Sequence, residues 1–278
     1  MRNRPCVLRE IRIDHPVAIL GRVASLTRPG RWLPAALLAA LIAVSGSSAA
    51  GAARTPPVAI LAYHHIGAPP AGASNPSLWV PAALFRRQVA ALAQAGYRGV
   101  TLGRVWRAWH GAGTLPARAV VLSFDDGYAS QYHAAARMLR ARRWPGVLNL
   151  QVARLDTGGG LSRAQVRRMI ADGWEIDAHT VTHPDLTVVG AERLAAEVGG
   201  SRTAIQDAFG VRADFFSYPF GRSNATVRAA VREAGFLGAT TVRRALASPR
   251  GDAYTLPRIS VGGGTSAYEL LHEIGSGG

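Results

Sequence analysis

Two pairs of polar side chains in this sequence are of types that could do chemistry together. Asp125 and Asp126 are adjacent carboxylates that directly follow the apolar run 119–124, and His179 and His183 lie four residues apart. Adjacent carboxylates at the end of a buried strand are unfavourable unless a positive charge compensates them, and a divalent cation would do so. Two imidazoles and one carboxylate leave coordination positions open for water and substrate, which is typical of a catalytic metal site. The second carboxylate would then be free to act as a base.

Taken separately, these patterns are weak. An Asp-Asp-Gly sequence is usually a turn, and two His residues four apart are often a surface or capping pair. Pro184 disfavours helix at His183, so the two imidazoles are expected on a loop. A third polar segment, Ser-Tyr-Pro-Phe-Gly at 217–221, also follows an apolar run. Active sites of parallel α/β folds lie after the carboxyl ends of strands, so the three segments together predict one site.

The elements that would position these residues alternate along the chain from residue 57 onward. Short apolar runs predict strands at 58–63, 97–102, 119–124, 147–152, 174–178, 214–218, 237–242 and 256–261. Apolar residues at helical spacing predict helices at 82–95, 104–109, 129–142, 163–171, 191–209, 225–234 and 267–274. This alternation indicates an α/β fold with a parallel sheet. The run at 97–102 is only strand-like, so we count about seven strands on one catalytic domain and expect a distorted or incomplete (β/α)7-type barrel.

Composition and charge narrow the class of protein. Of the 278 residues 48% are hydrophobic and 18% are charged, which are values typical of a globular chain. The net charge is +15, and +10 remains once the Arg-rich first 53 residues are set aside. The Arg residues are scattered, with no basic run interleaved with aromatics, so nucleic acid is not expected as a partner. Cys6 is the only cysteine, which leaves nitrogen and oxygen as metal ligands.

Residues 1–52 have the pattern of an export signal. An Arg-rich start is followed by the apolar run Leu33–Val44 and by the small residues Ala50-Gly51-Ala52, so a signal peptide cleaved after Ala52 is expected. The alternative is an uncleaved membrane anchor, because Trp32–Ala53 is free of charge and long enough to span a bilayer. In either case the catalytic domain, residues 53–278, is expected outside the cytoplasm, in the periplasm or the extracellular space.

The sequences FDDG, HTVTHP and YPFG, in that order, resemble the polysaccharide deacetylases with a NodB-homology domain, carbohydrate esterase family 4. The resemblance runs from about Ala59 to Ile274. It implies a distorted (β/α) barrel and a hydrolase that removes N-acetyl groups from an amino-sugar polysaccharide containing N-acetylglucosamine. It also implies one divalent transition metal, for which we expect Zn²⁺, with Co²⁺ and Ni²⁺ as alternatives.

By this resemblance the site residues have separate roles. Asp125 is similar to the general base of the family, and Asp126 to its carboxylate metal ligand. His179 and His183 are similar to the imidazole ligands. The YPFG segment is similar to the motif whose backbone holds the oxyanion, so the Tyr218 amide is the expected donor.

Two departures from the family leave alternatives open. Many members have an Arg where this chain has Ser217, and Arg258 either replaces that Arg in orienting the base or has no such role. We also assign Arg258, together with Pro219, to substrate binding. A Leu-His sequence carries the general acid in many members, but His272 lies in a predicted helix. His64, at the end of the first strand, is therefore the preferred acid.

The expected partner is the polysaccharide alone, bound by a monomer that touches a membrane only if the N-terminal segment stays attached. Three other functions are compatible with parts of the pattern. Two imidazoles and a carboxylate also hold Fe(II) in oxygenases, although those sites usually occur on β-sandwiches. The second alternative is a catalytically weak homologue that has the same fold and binds carbohydrate. The third is a deacylase or deformylase that uses the same chemistry on a lipid-linked amino sugar.

Overall fold

The computed structural model describes residues 56–275, and the predicted export segment lies outside the described residues. The longest strand, β5, belongs to a parallel sheet, and apart from Ser123 its residues are apolar until the final two carboxylates. The strands are β1 (Ala59–Tyr63), β2 (His65–Ile66), β3 (Trp79–Val80), β4 (Arg98–Gly99), β5 (Ala119–Asp126), β6 (Val147–Leu150), β7 (Glu175–Ala178), β8 (Phe215–Ser217), β9 (Gly238–Thr240) and β10 (Ile259–Ser260). The helices are α1 (Ala82–Gln94), α2 (Leu102–Trp109), α3 (Arg137–Arg140), α4 (Arg163–Ala171), α5 (Ala191–Phe209), α6 (Ala225–Glu233) and α7 (Ala267–Gly275).

The sheet curls back towards its own first strand. Its order is β10-β1-β5-β6-β7-β8-β9, all parallel, with β4 added beside the start of β5. Leu256 forms a parallel bridge with Thr240 of β9, and β10, which begins three residues later, pairs with β1. The segment 256–260 therefore approaches both ends of the sheet, and the expected α/β fold with a distorted barrel is confirmed.

Side chains alternate between the two faces of the sheet, as they must on a strand. Leu122 and Phe124 of β5 point outward into the large core beneath the helices. Val121 points inward into a smaller core at the amino ends of the strands. Ser123 and Asp125 lie on the same inward face as Val121, but nearer to the carboxyl end. The inner face is thus apolar at one end of the barrel and polar at the other.

Local signals account for the helix boundaries. Ser162 and Gln165 form a reciprocal capping box at the start of α4. Gly210 ends α5 with a φ of 69°, a left-handed conformation that glycine adopts without strain. No helix within residues 56–275 is long and apolar enough to cross a membrane.

One predicted helix differs from expectation. The pattern at 129–142 predicts a single α-helix, but Gln131–Ala136 has π-helical hydrogen bonding before α3 begins. The fully buried Gln131 side chain leaves the helix and donates to the carbonyls of His64, at 2.9 Å, and Asp125, at 2.5 Å. This wider turn ties the helix to the ends of β1 and β5, which is an arrangement that apolar periodicity cannot report.

Candidate active site

A cavity of about 740 Å³ opens at the carboxyl ends of the strands. Its lining includes residues that end or follow β1, β5, β6, β7, β8, β9 and β10, which are His64, Asp125, Asp126, Gln151, His179, Tyr218, Val242 and Ser260. Because the strands are parallel, side chains that are distant in sequence converge at this one end. The cavity therefore contains residues from all three sequence segments that predicted a site.

Three donor atoms in the cavity form a compact triangle. Asp126 Oδ1 lies 3.5 Å from His179 Nε2 and 3.6 Å from His183 Nε2, and the two Nε2 atoms are 3.1 Å apart. Bonds of 2.0–2.1 Å from a tetrahedral ion would place its ligands about 3.4 Å apart. The nitrogen and oxygen donors and their spacing thus fit a divalent transition ion.

The backbone fixes which nitrogen of His179 faces this triangle. His179 Nδ1 donates to the Ser217 carbonyl at 2.7 Å, which leaves the lone pair on Nε2. Burial lowers the pKa of the His179 imidazole, so the ring is neutral near pH 7, as a metal ligand must be.

The loop between the two imidazoles is held by its own hydroxyl and by α5. Thr180 Oγ1 accepts from the His183 amide at 2.8 Å and donates to the His179 carbonyl at 2.5 Å. Glu197, in the middle of α5, accepts from the backbone amides of Val181, at 2.9 Å, and Thr182, at 2.8 Å, and also from the Thr182 hydroxyl. Backbone hydrogen bonds from the Val152 amide to the Thr180 carbonyl and from the Ala153 amide to the Val181 carbonyl hold the loop from its other side.

Left-handed backbone conformations cluster around the cavity. Among non-glycine residues Asp126, Thr180, His183 and Phe220 have φ values of 76°, 65°, 65° and 57°. Such conformations cost non-glycine residues about 1 kcal/mol or more each and are retained where surrounding contacts determine them. Three of the four belong to the donor triangle or to its connecting loop, so the fold holds strain at the place where it assembles the ligands.

Asp125 is bound by a buried guanidinium. Arg258 Nη1 and Nη2 donate to the two carboxylate oxygens of Asp125 at 2.7 Å each, and Asn149 Nδ2 donates to Oδ1 at 2.7 Å. Burial alone would raise the pKa of Asp125, but the charge and hydrogen bonds of Arg258, together with the nearby His179 and His64, hold that pKa well below its usual range. Arg258 thus occupies the place of the orienting Arg that is missing at Ser217. Since only 1% of Arg258 is exposed and both of its terminal nitrogens contact Asp125, the expected substrate contact by Arg258 is not supported.

The predicted oxyanion donor is corrected by the structure. The Tyr218 amide already donates to the Thr240 carbonyl at 3.2 Å, and the Gly221 amide donates to the Tyr218 carbonyl. Pro219 has no N–H, is buried, and is not among the cavity-lining residues, contrary to the substrate role assigned to it. The Phe220 amide has no hydrogen-bond partner among the described residues, and Phe220 lines the cavity. The free amide is therefore two residues later than expected.

The two candidate general acids, His64 and His272, lie in different parts of the structure. His64 lines the cavity, with Nε2 3.9 Å from Asp125 Oδ2, and burial lowers the pKa of its imidazole. Within the part of the chain that the structure describes, His64 is the only imidazole lining the cavity apart from the two in the triangle. His272 is exposed on α7 and does not line the cavity.

Sequence reasoning missed several residues that hold the site. Asn149 interrupts an apolar strand and pairs in register with Asp125, so a polar residue within Val147–Leu150 was an available signal. Gln131 and Glu197 lie in helices, where their polar side chains resemble ordinary surface residues. Only the structure shows that both are buried against the site.

Comparisons with known proteins agree with this geometry. The family model for polysaccharide deacetylase matches residues 112–239, which contain both carboxylates, both imidazoles and the 217–221 segment. "Putative polysaccharide deacetylase YxkH" of Bacillus subtilis is 26% identical over 207 residues, covering 74% of this chain and 72% of that protein. Poly-beta-1,6-N-acetyl-D-glucosamine N-deacetylase of Escherichia coli is 43% identical over 63 residues, covering 23% of this chain and 9% of that protein. The structure of Streptococcus pyogenes deacetylase PplD in complex with acetate has a TM-score of 0.74 at 24% identity, covering 79% of this chain and 98% of that one.

Proposed function

We propose that this chain, which is similar to polysaccharide deacetylases in sequence and in fold, is a metal-dependent hydrolase that removes N-acetyl groups from a polysaccharide containing N-acetylglucosamine. The observation that carries the proposal is the triangle of Asp126, His179 and His183 beside the ion pair of Asp125 and Arg258, at the base of one cavity. We further propose Zn²⁺ as the resident ion. A divalent cation held by the triangle would polarise the acetyl carbonyl and increase the acidity of water.

The residues around the triangle supply the remaining chemistry. Since its pKa lies below the usual range, Asp125 is ionised at neutral pH and ready to accept a proton from the attacking water. Arg258 and Asn149 fix the orientation of that carboxylate. We assign the unpaired amide of Phe220, a residue that lines the cavity, as the donor to the developing oxyanion, and one such donor contributes roughly 3 kcal/mol.

His64 is the proposed acid for the leaving amine. Amide hydrolysis requires a proton on the sugar nitrogen, and the neutral His64 must first receive that proton. Asp125 Oδ2, which takes the proton from water, lies 3.9 Å from His64 Nε2. A short movement or one intervening water would connect the two groups.

Acetate release from purified, metal-reconstituted protein tests this proposal. The substrates are oligomers of β-1,4- and β-1,6-linked N-acetylglucosamine, assayed with Zn²⁺, Co²⁺ or Ni²⁺, and formate is measured in parallel to test the deformylase alternative. We expect acetate from at least one oligomer, released about 10²–10⁴-fold more slowly by the Asp125→Asn variant. Correctly folded, metal-loaded protein that releases acetate from none of them contradicts the proposal.

Export is proposed on the sequence of the first 52 residues alone. Mass spectrometry of the periplasmic or secreted protein should then find an N-terminus near Ala53. An intact Met1 in the membrane fraction would instead establish the anchor.

A further inference from the structure

A second guanidinium in the cavity wall has no acidic partner. Arg154 follows β6 and lines the cavity, and within residues 56–275 it forms no ion pair with a carboxylate. Arg258, the other Arg that lines the cavity, is neutralised by Asp125. A positive charge at Arg154 is therefore left uncompensated beside the place where the substrate must lie.

The Arg154 side chain is fixed before any ligand arrives. Its Nε and Nη2 donate to Gln151 Oε1 at 3.1 and 2.9 Å, and Nη1 has no hydrogen-bond partner among the described residues. Its guanidinium carbon lies 4.3 Å from the centre of the Tyr128 ring. Holding a long side chain in one conformation removes the entropy loss that binding would otherwise incur.

The Arg154 guanidinium packs against one end of a stack of three aromatic rings. The centre of the His65 ring lies 3.7 Å from that of Trp79 and 3.4 Å from that of Tyr128. Arg154 lies over the Tyr128 ring, at the end of the stack that is farther from Trp79. Tyr128 lies two residues after Asp126 in the chain, and both residues line the cavity. Arg154, with the Tyr128 ring packed against it, therefore lines the same cavity as the donor triangle.

We propose that Arg154 recognises an anionic group, a carboxylate, carried by the substrate within one sugar residue of the acetamide. This inference rests on the proposed function and adds a substrate class to it. A fixed guanidinium binds a carboxylate through charge-assisted hydrogen bonds that a neutral hydroxyl group cannot match. It also repels the ammonium groups of sugars that have already lost their acetyl groups. The preferred polymer is therefore an acidic, acetylated glycan.

The test uses two glycan strands that differ only in charge. One alternates N-acetylglucosamine with its 3-O-lactyl ether, and in the other the lactyl carboxylates are chemically reduced to alcohols. For the zinc-loaded full chain we expect kcat/KM for acetate release to be about 10-fold or more higher on the carboxylate strand, since charge-assisted bonds are the strong ones. This ratio should fall as ionic strength rises.

Two variants distinguish recognition of the carboxylate by Arg154 from a general effect of the protein's positive charge. Arg154→Gln should reduce the ratio between the two strands to about one. Arg163→Gln removes an exposed guanidinium that pairs with Asp156 outside the cavity, and it should leave the ratio unchanged. A ratio near one in the unmodified protein, or a ratio that survives Arg154→Gln, overturns the inference.

Binding measurements keep this test independent of turnover. Calorimetry of both strands with zinc-loaded Asp125→Asn protein should show tighter binding of the carboxylate strand, and the added Arg154→Gln change should abolish the difference. Equal binding of both strands refutes the role of Arg154. If no acetate is released from these strands or from neutral N-acetylglucosamine oligomers, the proposed function fails, whatever the binding result.

Discussion

Two neighbouring carboxylates at the end of one strand have different surroundings and therefore different chemistry. Asp125 keeps the alternation of β5, so it points into the barrel and meets Arg258. Asp126 has a φ of 76°, and this left-handed turn carries its carboxylate towards the two imidazoles. One residue is thereby placed as a base and the other as a ligand.

Asparagine substitutions should separate these two roles. Asp125→Asn keeps the size of the side chain but removes its basicity, so kcat should fall by about 10²–10⁴-fold while metal affinity changes little. Asp126→Asn should weaken metal binding first, because a neutral amide is a poorer ligand, and added metal should restore part of its activity. Acetate release measured against metal concentration for both variants decides the matter. Rescue of Asp125→Asn by excess metal, but not of Asp126→Asn, would show that the roles are reversed.

At the residue scale, the sequence could identify the charged groups but not the free backbone donors. Carboxylates and imidazoles have chemistry that their residue type alone reveals. Whether the amide of Tyr218 or of Phe220 is free depends on the pairing of Thr240 with the preceding strand, which no local pattern reports. The same holds for Arg258, whose partner lies 133 residues away.

At the scale of elements, α5 holds the loop that carries both imidazoles. Glu197 is 4% exposed and binds two amides and one hydroxyl of that loop. Glu197→Ala should therefore lower zinc affinity, measured by competition with a chelator, by about 10–100-fold, as loss of supporting hydrogen bonds around a metal site does. Glu197→Gln should retain much of the affinity, because an amide oxygen can still accept from the two N–H groups.

The control for this prediction is on the same helix. Glu192 is exposed in the first turn of α5, and Glu192→Ala should leave zinc affinity unchanged. The melting temperature of each metal-free variant is measured in parallel. A large loss of stability in Glu197→Ala with unaltered zinc affinity would show that Glu197 supports the helix packing alone.

Elements with strong end signals were predicted with their exact bounds. The capping box of α4 and the left-handed Gly210 of α5 are local, so the predictions 163–171 and 191–209 are confirmed. The predicted strand at 97–102 is reduced to Arg98–Gly99, because Thr101 leaves the sheet to cap α2. Apolar periodicity continues through such a turn, and it therefore cannot mark where pairing stops.

At the scale of the whole molecule, β7 carries two neighbouring carboxyl groups on one face, the half-buried Glu175 and the fully buried Asp177. Glu175 accepts from the Gly103 amide at the start of α2, and Asp177 Oδ1 accepts from the Phe215 amide at 3.0 Å. Among the described residues no group donates a hydrogen bond to Asp177 Oδ2. Burial and the neighbouring Glu175 raise the pKa of Asp177 well above its usual range.

This pair should make unfolding dependent on pH. Because the folded pKa of Asp177 is raised, its stabilising contribution is complete below the unfolded pKa of about 3.9 and is lost as pH rises through the folded pKa. The free energy of unfolding should fall across that interval by up to about 1.4 kcal/mol per pH unit. Asp177→Asn, which imitates the protonated form, should gain stability relative to the unmodified protein as pH increases. Denaturant unfolding of metal-free protein between pH 5 and 8 measures this, and parallel pH profiles of the two proteins would contradict it.

The parallel α/β fold could be predicted because alternating strands and helices allow few other arrangements. The seam of the barrel could not be predicted. It depends on one segment, 256–260, that pairs with β9 through Leu256 and with β1 through Ile259 and Ser260. Such contacts join residues that are far apart in sequence, and no local composition encodes them.

The most direct test of the central claim is a titration of metal-free protein with zinc, followed by acetate release from an N-acetylglucosamine oligomer. If Asp126, His179 and His183 hold one catalytic ion, activity should be absent in chelator, rise with added zinc and level off at one equivalent per chain. His179→Ala and His183→Ala should each bind zinc more weakly and require a large excess for any activity. Full activity in chelator, or undiminished zinc content in both His→Ala variants, would contradict the claim.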